Sequence, residues 1–445
     1  MSTLKLSLVG LGSRVALMAL TMLNALLLAR ILGPQGFGEY FLFLRVVSVL
    51  TVVADFGLSQ SANAFFGRYE EWRAHLHKII LRFVPLFSAC TLGIGALIVW
   101  LAGDTLLPNL PRQLTWMAFA VMPIQLYANI WISMMTGMGR IWQLNLAQLI
   151  TSTLSLLMTL VFVVALSGGV ITAATIYTVA ILVQSAMMLA MALKINSVST
   201  RAEEDEEQPP AALSTEMLHF GLRGYLGSFS YILWTRVPVF MLNYFHGTAA
   251  VGIFSVAQQL IDRMLLPVQA VQDASYRKMS RLSSRAARFT MNRYLRLTWW
   301  GMWVVVALGV LLAPSVIVLL LGQKYAASAE VCRLLLPGVA FMGAALLLDT
   351  YFLNQLRRPG MLSIVAWVNA LVSLTLALLF IPAMAERGAA LALVFTQILG
   401  GAVYFALYVR LSRARPSEFF LIHRKDLTAL REQARSILRG RGGKG

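Results

Sequence analysis

The sequence predicts an all-α polytopic membrane protein, with about twelve spanning helices in two six-helix bundles around a central cavity. Three observations predict it. Apolar side chains make up 58% of the 445 residues and charged ones only 13%. The apolar residues are gathered into long runs, and one acidic, Pro-containing tract divides those runs six and six. A spanning helix needs ~20 mostly apolar residues, and the total of about 258 is enough for about twelve. With a mean hydropathy of +0.73, a water-soluble globular enzyme is excluded, since such domains carry roughly 25% charged residues.

The first six runs cover about 8–31, 39–64, 79–102, 114–138, 141–166 and 170–193. The second six cover about 216–245, 248–273, 296–321, 334–356, 360–384 and 388–411. All read as helices, because period-2 alternation is absent and lone strands cannot satisfy their backbone in lipid. The first run continues to Ala29 and leads through Arg30-Ile31-Leu32-Gly33-Pro34 into the second. That is too long for a signal-peptide core and predicts an uncleaved first span.

Between the halves lies Glu203-Glu204-Asp205-Glu206-Glu207-Gln208-Pro209-Pro210, a tract that cannot bury enough apolar surface to order itself. The expected units are therefore an N-terminal bundle at 1–193, an acidic cytoplasmic linker at 194–215, a C-terminal bundle at 216–412 and a basic tail at 413–445. The halves echo each other. Gly33 and Gly38 between the first two runs align with Gly247 and Gly252 between the seventh and eighth, as in duplicated transporter bundles.

Charge sets the orientation. With the N-terminus inside, 27 of the 37 Lys and Arg fall in cytoplasmic segments, four in outer loops, including Arg333, and six within spans. This bias predicts that both termini are cytoplasmic. The net charge of +18 then reflects basic loops that attract anionic lipids, with no nucleic-acid partner. Basic amphipathic stretches at 276–296 and 417–439 suit the headgroup plane. Cys90 and Cys332 sit in or beside apolar runs and form no disulfide framework.

The informative residues are those ionisable inside the membrane. Each Arg, Lys or Asp at mid-bilayer costs roughly 2.5–3.5 kcal/mol. Six arginines fall within spans: Arg14, Arg30, Arg45, Arg223, Arg236 and Arg263. Arg30 sits at a span end where it can snorkel, and Arg223 near the inner end of span seven can do the same. The others must face a wet cavity or pair with acids. The expected depths put Arg14, Arg223 and Arg263 in the inner half and Arg45 and Arg236 in the outer half. Guanidinium forks suit phosphate, so the five apart from Arg30 form a candidate two-tier path for a diphosphate. Pairing with acids is the competing explanation, and Asp55, Asp262 and Asp349 are the available partners or proton-coupling groups. Polar side chains at helical spacing, Gln125 and Asn129, Asn145 and Gln148, and Gln259, are candidate sugar contacts or helix–helix hydrogen bonds.

No catalytic residue, metal site or cofactor is expected. His75, His77, His219, His246 and His423 avoid the span interiors, and no Walker-A or dinucleotide glycine pattern occurs.

The chain resembles polysaccharide-type flippases, the lipid-linked oligosaccharide exporters of the multidrug/oligosaccharidyl-lipid/polysaccharide (MOP) superfamily. The resemblance rests on Ala29-Arg30-Ile31-Leu32-Gly33-Pro34-Gln35-Gly36-Phe37-Gly38-Glu39-Tyr40 and Ala54-Asp55-Phe56-Gly57-Leu58 in the first half. In the second half it rests on Leu242-Asn243-Tyr244-Phe245, Ala249 to Ala257, Leu335-Leu336-Pro337, Arg358-Pro359-Gly360 and Arg387 to Ala392. It implies a MATE-like pair of bundles working by alternating access in the bacterial cytoplasmic membrane. The implied substrate is an undecaprenyl-diphosphate-linked oligosaccharide, with a polysaccharide polymerase and chain-length machinery as partners. By position Arg14, Arg45 and Arg263 match the cationic cavity residues of related flippases. Arg236-Val237-Pro238 departs from relatives that carry an acid shortly after the arginine. A peptidoglycan-precursor flippase, a drug/cation antiporter and a membrane glycan polymerase or ligase remain as other readings. The antiporter reading wants cavity carboxylates, and span one has Arg14 and none.

Overall fold

Lipid offers no partners for backbone N–H and C=O groups, and every regular element among the described residues is helical. The computed structural model describes residues 3–199, 213–279, 282–356 and 358–421. The acidic tract and most of the 417–439 stretch lie outside the described residues.

The order is α1 Thr3–Asp55, α2 Leu58–Arg68, α3 Arg73–Leu106, α4 Arg112–Gly137, α5 Ile141–Met158, α6 Val170–Ser199, α7 Leu213–Met264, α8 Leu266–Met279, α9 Ser284–Leu321, α10 Ala326–Asn354, α11 Pro359–Ser412 and α12 Pro416–Phe420. Among the described residues nine helical stretches are long and apolar enough to cross a membrane. Three of them, α1, α7 and α11, are each broken at a single residue, so nine amount to twelve segments.

Those breaks replace the loops expected after spans one, seven and eleven. In α1 only Gly33 leaves helical geometry, at φ 69°, and Pro34 starts the next segment. A left-handed φ is cheap for glycine, and proline is pre-set for a first helical position. Gly247 does the same in α7 at φ 80°. Ala385 breaks α11 at φ 49°. These three breaks mark one face of the molecule, called the break side below, and the α2–α3 and α4–α5 connections mark the opposite, loop side.

Two further expectations shift. The second apolar run is divided, since α1 ends at Asp55 and Gly57 takes φ 82° before α2 begins. Arg333, expected in an outer loop, lies inside α10.

The halves share a core along α1 and α7. Leu28, Phe37 and Phe43 of α1 pack in one buried cluster with Leu242, Val251 and Phe254 of α7. A second cluster at the loop side joins Leu58, Phe66 and Trp131 to Leu213 and Met217 at the start of α7. Large apolar side chains are exposed on the outer faces, Trp100 and Leu319 at 78% each. A soluble monomer would not leave such a surface in water.

Candidate functional site

The α1–α7 seam is closed near the break side by two glycines. A Cβ at Gly38 would overlap the Thr248 carbonyl, and one at Gly252 would overlap the Pro34 carbonyl. At the loop side Gly57 and Gly221 meet in the same way. There Ser61 Oγ donates to Met217 O at 2.7 Å and Gln60 Nε2 donates to Gly224 O at 3.1 Å. Between these two contacts the seam carries the charged residues.

At a rise of 1.5 Å per residue, Arg45 lies about 18 Å below Gly33, Arg236 about 17 Å below Gly247, and Arg263 about 24 Å below it. Helical side chains lean toward the N-terminus of their own segment. Arg263 leans toward the break side, where its Nη2 donates to Thr21 Oγ1 at 3.4 Å. Asp262 is exposed and lies within electrostatic reach of both Arg236 and Arg263. By that rise the Arg236 Cα lies nearer the break side than the Arg263 Cα.

The bonds made by these arginines are few. Arg45 stacks 4.1 Å from the centre of the Phe41 ring and donates from Nη2 to Gln258 Oε1 at 3.5 Å, the long limit of a hydrogen bond. The Nε atoms of Arg45 and of Arg236 are buried with no hydrogen-bond partner. Neither makes an ion pair among the described residues. Arg263 and Gln259 line a small, mostly apolar cleft with Met22, Leu26 and Phe37. Buried guanidinium N–H groups without acceptors are costly, and an anionic ligand in the seam would supply what they lack.

The other sequence-predicted residues are placed differently. Arg14 is in α1, but its side chain lies outside the described residues. Arg223 is exposed, about 36 Å from Gly247 by the same rise. Gln125 donates to Asn129 Oδ1 at 2.9 Å and accepts from the Tyr177 hydroxyl at 2.6 Å, so these amides join α4 to α6. Asn145 is buried and donates to Ser13 Oγ at 3.0 Å, joining α5 to α1. Gln148 is half-buried on the same helix. Asp55 accepts from Gly57 N and Ser59 N, both at 3.1 Å, which ties the turn between α1 and α2. Asp349 accepts from the Tyr404 hydroxyl at 2.7 Å between α10 and α11.

Sequence reasoning missed Phe41 and Thr21 as neighbours of the arginines. Phe41 precedes Arg45 by four residues on one helix face, so the spacing could have shown it. Thr21 meets Arg263 across 242 positions of chain, and no local pattern announces that.

Comparison with known proteins decides the family. Residues 4–272 match the family described as polysaccharide biosynthesis protein. The chain belongs to that family. No curated protein matches this family member. Among solved structures it is similar to the lipid II flippase MurJ in an inward closed conformation, with 14% identity and a TM-score of 0.70 over 98% of this chain and 94% of that one. It is also similar to a multidrug resistance MATE family transporter of the MOP superfamily in its inward-facing conformation, with 17% identity and a TM-score of 0.69 over 89% and 94%. An outward-facing MATE structure overlaps less well, at 17% identity and a TM-score of 0.57 over 91% and 94%. The polysaccharide biosynthesis family member therefore has the MOP fold, as the sequence resemblance implied.

Proposed function

We propose that this protein moves undecaprenyl-diphosphate-linked oligosaccharide units from the inner to the outer leaflet of the bacterial cytoplasmic membrane for surface polysaccharide synthesis. It does so by alternating access and forms no covalent intermediate. The loop side, which carries most of the basic loops, faces the cytoplasm. One observation carries the reading: Arg45, Arg236 and Arg263 lie along a seam between two glycine closures, and the buried Nε atoms of Arg45 and Arg236 lack partners. A diphosphate offers oxygens at the spacing of guanidinium forks. Asp262 supplies a counter-charge while the seam is empty. The family description supports a carbohydrate cargo.

The test is complementation of a deletion strain. Loss of the protein should leave lipid-linked units on the inner leaflet. Arg45→Ala, Arg236→Ala and Arg263→Ala should each lower export about 10- to 100-fold, the equivalent of one charged hydrogen bond at roughly 1.5–3 kcal/mol. Lysine variants should recover part of it, because lysine keeps the charge and loses the fork. Full export in all three alanine variants would end the reading.

The likeness to the lipid II flippase over 98% of the chain favours a second reading, a peptidoglycan-precursor cargo on the same arginines. It predicts accumulation of that precursor in the deletion strain and intact surface polysaccharide.

A further inference from the structure

One arginine stands apart from the seam. Arg333 is seven residues into α10, about 10 Å from its break-side end at 1.5 Å per residue. Its side chain is exposed and its Nε donates to Val310 O of α9 at 3.0 Å. That bond ties the guanidinium sideways across the α9–α10 pair, where a free arginine would extend toward water. Glu330, one turn closer to the break side, is not its partner. It pairs with Arg387 at 2.7 Å. No acid among the described residues pairs with Arg333, so its two Nη groups remain as donors.

Below it lies an open groove lined by Trp303, Val306, Ala307, Val310, Leu311 and Arg333. The five α9 residues follow the spacing of a single helix face. Leu311 beside it is 71% exposed, so the groove opens on the surface that meets lipid. A cation one turn from the Glu330–Arg387 pair, above an apolar channel, complements the shape and charge of a phospholipid with its phosphate at the top.

We propose that this groove seats an anionic phospholipid of the break-side leaflet. Its phosphate sits on the Nη groups of Arg333, and one acyl chain lies along Trp303, Val306 and Val310. Arg333→Gln removes the phosphate contact and leaves the channel walls intact. This site is independent of the cargo carried in the seam, and no seam residue takes part in it.

Trp303 makes the site readable. The protein is placed in nanodiscs containing phosphatidylglycerol or phosphatidylcholine with brominated acyl chains, which quench indoles they touch. The Trp303 share is the difference between the protein and its Trp303→Phe variant. Brominated phosphatidylglycerol should reach Trp303 about fivefold more effectively at equal mole fraction, since one basic group near anionic lipid is worth ~1 kcal/mol. Arg333→Gln should abolish the preference. Arg333→Lys should keep most of it and guards against a folding defect in the glutamine variant. Equal quenching by the two lipids, or a preference that survives Arg333→Gln, would overturn the proposal. So would selective displacement of the brominated lipid by a polyprenyl phosphate and not by unlabelled phosphatidylglycerol.

Discussion

Gly38 and Gly252 occupy matching places in the two halves, and each rests on the opening residue of the other half's segment. Gly38 lies on the Thr248 carbonyl and Gly252 on the Pro34 carbonyl. Each glycine is five residues past a break, at Gly33 or Gly247. The contact is thus reciprocal, as a pseudo-two-fold axis through the seam requires. Backbones approach this closely in membranes where a side chain is missing.

The closure should not tolerate a methyl group. Gly38→Ala and Gly252→Ala each place Cβ on a carbonyl oxygen, and overpacking of this kind costs ~1–3 kcal/mol. Thermal unfolding in detergent should show a lower midpoint for both. Gly301→Ala is the matched control in the interior of α9, where nothing lies within 4 Å of the added atom. It should be neutral or stabilising, since alanine is favoured over glycine in helices by roughly 0.8–1 kcal/mol. Equal behaviour of all three variants would contradict the close crossing.

The intramembrane acids should separate by role. Asp55 holds the turn at Gly57 through two backbone bonds, so Asp55→Ala should lower stability by about 1 kcal/mol, as the loss of a cap does. Export per folded molecule should be unchanged. Asp262→Asn should fold normally and bind pyrophosphate more tightly, because it removes the negative charge within reach of Arg236 and Arg263. Calorimetry with inorganic pyrophosphate reads this directly. Weaker binding in Asp262→Asn would show that the carboxylate serves the anion site instead of opposing it.

The loop-side closure should have to open during the cycle. Gln60 Nε2 reaches Gly224 O at 3.1 Å, so a short bis-methanethiosulfonate cross-linker can bridge Gln60→Cys and Gly224→Cys in a protein lacking Cys90 and Cys332. Cross-linking should stop export and a reductant should restore it. Export that continues with the cross-link formed would show that α2 and the start of α7 stay together throughout.

Much of this protein could be read from local chemistry. Twelve apolar segments, the break residues Gly33 and Gly247, and the presence of costly arginines in spans all follow from composition and spacing, because lipid penalises each departure locally. The partner of Arg263 did not follow, because Thr21 lies 242 positions away in the chain. Gln125 and Asn129 read equally as sugar contacts or helix joints along the chain, and only the fold brings Tyr177 to Gln125. Arg333 looked like a loop residue because one charge near a helix start resembles an end.

Membrane residence, helix number and the sites of helix breaking are properties of short stretches of chain, each settled by hydrophobic transfer and backbone geometry over about twenty residues. Which polar groups are spent on packing and which are left without partners is settled by contacts over a hundred or more positions, such as Thr21 with Arg263 and Arg45 with Gln258. A hydrogen bond needs both partners in one place, and folding alone brings them there.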